Sequence, residues 1–174
     1  MPGFLDKVKK FAEDATQSVT DGVKRFKNTK FLDAVIGGCV YVMGANGVIK
    51  PEEKQKMIGF INLNEALKVF DNTKVVERFN HFVGQFEFDA NVGKGEVFSA
   101  LEAIKDQPDQ AKLAVQVLIA VCSADDDFDA EEQKTVVLLA KHLNLEPSLF
   151  GLDANMGDPS ASDTADGSGR KKLF

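Results

Sequence analysis

The stretch Ala124-Asp125-Asp126-Asp127-Phe128-Asp129-Ala130-Glu131-Glu132 repeats, without a gap, the pattern of an earlier one, Ala45-Asn46-Gly47-Val48-Ile49-Lys50-Pro51-Glu52-Glu53. Each copy follows an almost wholly apolar segment, Phe31 to Met43 in the first and Lys112 to Cys122 in the second. Each also opens a new helical pattern. No segment alternates with period two, and the Val-rich run at 113–121 is too long for an ordinary strand. The chain therefore reads as all-α, a compact helical bundle of about seven helices. It is built from two pseudo-repeated halves, each a helix, an acidic turn and a second helix.

Downstream of the first turn, Pro51 suits a first helical position, and Glu52 and Glu53 complement a helix N-terminus. Asn64 is expected to cap a short helix through Phe70, and Asn72 or Thr73 to cap the next. That next helix carries a stripe of Val75, Val76, Phe79, Phe82, Val83 and Phe86 at helical spacing. Glu87 to Gly95 reads as a junction, with Val97, Phe98, Leu101 and Ile104 facing inward beyond it. Pro108 opens the second core helix. After the second turn, Asp129 and Glu132 have the spacing of a capping box. Val136, Val137, Leu139, Ala140 and Leu143 form the last long apolar face, and Pro147 to Phe150 a closing turn.

Upstream, residues 4–26 place Phe4, Val8, Phe11, Ala12, Ala15, Val19, Val23 and Phe26 at three- and four-residue spacing, with Lys and Arg on much of the other face. Three segments result: a basic amphipathic arm at 1–30, a helical domain at 31–152 and a tail at 153–174. The tail is Asp, Ala, Asn, Gly, Pro, Ser and Thr with one Met up to Gly169, a composition expected to stay flexible. It ends in Arg170-Lys171-Lys172-Leu173-Phe174.

With 174 residues the chain is long enough for one well-cored domain, and its 14 Phe, one Tyr and absent Trp make that core aliphatic and Phe-rich. A net charge of −6 and a pI near 5.0 argue against nucleic acid as a partner. The charge is uneven: +3 on residues 1–30, −8 on 31–150 and −1 on 151–174. No apolar run approaches the length of a membrane span, and the N-terminus lacks the features of a signal peptide. Cys39 and Cys122 lie in separate apolar segments, which suits a reduced compartment and small buried hydrophobes. The expectation is a soluble cytoplasmic protein. Peripheral association with the inner face of the cell membrane is expected through a protein partner, since the basic arm is expected to dock on the acidic body and to bind anionic lipid only weakly.

Several stretches resemble a known family: Glu52-Glu53-Lys54-Gln55-Lys56-Met57-Ile58-Gly59-Phe60, Leu67-Lys68-Val69-Phe70-Asp71, Gly93-Lys94-Gly95-Glu96, Lys105-Asp106-Gln107-Pro108 and Phe150-Gly151-Leu152. Through them, residues 1–152 resemble the TerB tellurite-resistance family. The resemblance implies an all-helical bundle of two related halves with acidic clusters at the repeated turns. It also implies a part in tellurite resistance and in wider stress and phage responses. The partners it implies are a membrane-embedded TerC-type protein and calcium-binding TerD-type proteins. A related domain occurs in membrane-anchored DnaJ-type co-chaperones, so a cation-independent protein-interaction module is the alternative. The sequence departs from the family pattern at the turns. Asn46-Gly47 replaces the usual Asp-Gly, Lys50 stands where a capping acid or hydroxyl would suit, and Asp126 stands where Gly is common.

The candidate metal ligands are Asp125, Asp127, Asp129 and Glu132 in the second turn, with Asn46, Glu52 and Glu53 a poorer set in the first. Ca²⁺ takes roughly six to eight oxygen ligands, and the second turn offers up to four carboxylates. An EF-hand is excluded, because counting from Asp125 puts Ala130 where Gly belongs and Val136 where the bidentate Glu is needed. The plainer reading is a capped helix whose acids favour its N-terminus. Gly93-Lys94-Gly95 is not a phosphate loop, since Phe88 occupies the first Gly position and Gly95 the Ser/Thr position. His81 and His142 have no Cys or His at metal spacing. No catalytic residues and no organic cofactor are expected, and the function expected is a non-enzymatic adaptor that binds divalent cation weakly.

Overall fold

The computed structural model describes residues 21–24, 27–46, 48–124 and 128–153. Most of the basic arm, the turn residues Asp125, Asp126 and Asp127, and the tail from residue 154 lie outside the described residues. The described residues are helical, with no strand among them. Residues 21–24 are helical and are followed by α1 (Thr29–Met43) and a 3₁₀ turn (Gly44–Asn46). Next come α2 (Pro51–Leu63), a 3₁₀ turn (Glu65–Val69), α3 (Asn72–Phe88) and α4 (Ala90–Lys105). The chain then forms α5 (Pro108–Cys122), α6 (Ala130–His142) and a last 3₁₀ turn (Pro147–Phe150).

The two halves match closely. Adding 79 to the residue numbers of α1 and α2 gives α5 and α6, with lengths of 15 and 13 residues in both halves. Local chemistry explains most boundaries. Asn28 Oδ1 accepts from the Phe31 N–H at 2.8 Å to start α1. Pro51 and Pro108 each sit in the first turn of a helix, where a missing N–H costs nothing. Asn64 caps the short turn after α2 by accepting from the Ala66 and Leu67 N–H groups.

Two expected boundaries are corrected. The cap of α3 is Asp71, which accepts from the Thr73 N–H at 2.8 Å, so the helix already begins at Asn72. The expected junction from Glu87 to Gly95 shrinks to the single residue Asp89. It closes α3 and, in extended conformation, caps α4 by accepting from the Asn91 and Val92 N–H groups. Gly93 and Gly95 both lie inside α4. Gly93 is required there, because a β-carbon would lie 2.4 Å from Cγ of Phe86. Phe86 in turn stacks on Tyr41 with centroids 5.9 Å apart.

α1 and α5 form the centre and are buried on nearly every side. They run parallel. Near their starts, Asn28 Nδ2 donates to Gln110 Oε1 at 3.2 Å. Deeper in, Gly38 lies against Leu118 so closely that a β-carbon there would be 2.2 Å from the leucine Cδ1. α3 and α4 form an antiparallel pair that packs on α1, while α6 packs more extensively on α1 of the other half than on α5. The halves therefore share one core. The only charged residue from Phe31 to Met43, Asp33, meets Arg78 of α3 through two hydrogen bonds, Nε to Oδ1 at 2.6 Å and Nη2 to Oδ2 at 3.3 Å.

Candidate functional site at the pole of the two turns

Parallel central helices send both acidic turns out of the same end of the bundle. α2 and α6 start from that end, and the first turn, Gly44–Asn46, packs against α6. An apolar residue pins each turn to the core at the matching position: Ile49 packs against it partly buried, and Phe128 is buried. The second turn is held further by Gln133, whose Nε2 donates to the Phe128 carbonyl at 2.8 Å. Sequence reading passed over Gln133, although a polar residue four positions after Asp129, on the inward face of α6, was an available signal. Ser123 Oγ donates to the Ile119 carbonyl at 2.6 Å and closes α5 before the second turn.

At the start of α6 the expected capping box is complete. The Glu132 N–H donates to Asp129 Oδ1 at 2.8 Å, and the Asp129 N–H donates to Glu132 Oε2 at 2.9 Å. In the first half only the return bond exists, from the Lys50 N–H to Glu53 Oε2 at 3.0 Å. Lys50 has no acceptor to offer. Glu52 is exposed beside it in the first turn of α2. All these carboxylates lie at helix N-termini, where the macrodipole favours negative charge.

For a cation the described residues are a partial fit. Asp129 and Glu132 are close together, but each already accepts a backbone N–H. Among the described residues no group of three or more His, Cys, Asp or Glu could hold a metal ion. Asp125 and Asp127, the other ligands expected from the sequence, lie outside the described residues. Asn46 is described by its backbone place at the end of the first 3₁₀ turn. Val136 is fully buried, which agrees with the exclusion of an EF-hand.

Of the remaining candidates, Cys122 is the last residue of α5 and lies next to this pole, while Cys39 lies within α1. Cys39 and Cys122 are both buried. His81 Nε2 lies 3.4 Å from Glu96 Oε2, on the α3–α4 pair. His142 Nε2 is 2.8 Å from Glu102 Oε1, too poorly aligned to count as a hydrogen bond, and its ring meets Phe98 edge-on at 4.7 Å. Among the described residues, no helix is long and apolar enough to cross a membrane.

This architecture accompanies a match to the family model described as Tellurite resistance protein TerB, over residues 32–153. The chain belongs to the TerB family. A tellurium resistance protein TerB from Alcaligenes sp is 44% identical over 114 residues, covering 66% of this chain and 93% of that protein. No solved structure matches the chain significantly. The TerB match begins at Leu32 and ends at Asp153, so it spans both turns and all six labelled helices apart from the first residues of α1. The basic arm lies outside it.

Proposed function

We propose that this TerB-family protein serves tellurite resistance as a non-enzymatic adaptor. In this reading it binds a divalent cation, Ca²⁺ by preference, weakly at the second turn, and joins a membrane-side complex with TerC-type and TerD-type proteins. The observation that carries it is the shared pole: parallel α1 and α5 bring both turns, with the N-termini of α2 and α6, to one end of the molecule. A pole rich in carboxylates suits a bridging cation or a basic partner surface. Asp125 and Asp127 would complete a donor set with Asp129 and Glu132, supplying oxygen ligands of the kind a hard cation takes.

The second reading is a cation-independent interaction module, and it has support of its own. The carboxylates of Asp129, Glu132 and Glu53 already act as helix caps, which accounts for their presence without a metal. Calorimetry and amide chemical shifts on adding Ca²⁺ separate the two. Weak binding with shifts centred on 124–132 supports the adaptor reading. No heat and no shifts leave the interaction module, whereas equal shifts around 45–53 and 124–132 overturn the second turn as the centre of binding.

Membrane recruitment is tested by flotation with anionic vesicles at physiological salt, with and without membrane proteins. A few basic residues, each contributing about 1 kcal/mol near an anionic surface, bind weakly against repulsion from an acidic body. Recovery should therefore need a protein partner. Strong binding to pure lipid, abolished by replacing Lys7, Lys9 and Lys10, would make the arm the anchor instead.

A further inference from the structure

We draw no further inference here: the strongest candidate, the cleft of about 230 Å³ between the end of α2 and the start of α3, with Ile61, Leu67, Phe70 and Val75 beneath Lys68, carries nothing, because the Lys68 ammonium is already paired with Glu65 at 2.6 Å and nothing in the structure shows what covers the apolar floor.

Discussion

Gly38 of α1 and Leu118 of α5 are in such close contact that a β-carbon at position 38 would stand 2.2 Å from the leucine Cδ1, and 3.6 Å from Cδ1 of Leu139. All three residues belong to the buried interior where the halves meet. Glycine inside a helix costs about 1 kcal/mol relative to alanine. Here that cost is offset by the close approach of the two central helices.

Gly38→Ala is therefore expected to destabilise the protein despite its better helix propensity. Overpacking of a tight core costs about 1–3 kcal/mol, which leaves a net loss of about 1–2 kcal/mol after the propensity gain. Denaturant unfolding measures it directly. An unchanged or raised midpoint would mean that Leu118 moves aside freely.

Gly59 of α2 and Gly84 of α3 are the contrasting case. A β-carbon at either position meets nothing within 4 Å. Gly59→Ala and Gly84→Ala should each add about 0.5–1 kcal/mol through helix propensity. The same unfolding series reads both, and a loss of stability at either would show a contact the geometry does not contain.

The two turns should respond in opposite directions to changes at their N-caps. Asp129→Ala removes the acceptor for the Glu132 N–H and is expected to cost about 1 kcal/mol. Lys50→Ser supplies the acceptor that the first half lacks, with Glu53 already returning its bond. It should raise stability by about 0.5–1 kcal/mol. Thermal melts of the two variants beside the parent decide this, and a destabilising Lys50→Ser would show that Lys50 has another role at the pole.

Asp33 and Arg78 are only about a fifth exposed, at 21% and 23% of their side chains, and the guanidinium lies 5.5 Å from the Phe82 ring centroid. Lysine cannot reproduce two parallel hydrogen bonds while stacking on a ring. Arg78→Lys should cost about 1 kcal/mol, and Arg78→Ala more, because Asp33 then keeps a half-buried charge without its fork. A double-mutant cycle with Asp33→Ala measures the coupling. A coupling energy near zero would place the pair among ordinary surface contacts.

Direct thiol chemistry with tellurite requires accessible thiolate. Cys39 is 0% and Cys122 7% exposed, so both should resist a thiol reagent in the native protein and react on unfolding. Rapid native labelling, or loss of tellurite resistance in a folded Cys39→Ala, Cys122→Ala protein, would return the cysteines to the functional argument.

The sequence itself determined whatever depends on residues a few positions apart. The fold class, the repeat around the two turns, the prolines opening α2 and α5, the Asn64 cap and the Asp129–Glu132 box are all of this kind. Each follows from helical period or from a side chain reaching its own backbone. The misplaced start of α3 shows where this reasoning weakens: Asp71, Asn72 and Thr73 are all good caps, and local preference does not rank them. The false junction at 87–95 failed for a different reason. Glycine disfavours a helix interior by propensity, whereas the missing β-carbon of Gly93 makes room for the Phe86 ring.

Tertiary structure alone decided the direction of the two central helices, and with it the position of the candidate site. The Asn28–Gln110 bond joins residues 82 apart in sequence, and the Gly38–Leu118 contact spans a similar distance. Periodicity within either helix is the same whether the pair runs parallel or antiparallel. Only the packing of one buried helix against the other chooses between them. That choice brings Glu52, Glu53, Asp129 and Glu132 to a single pole, because each turn must leave its central helix at the C-terminal end.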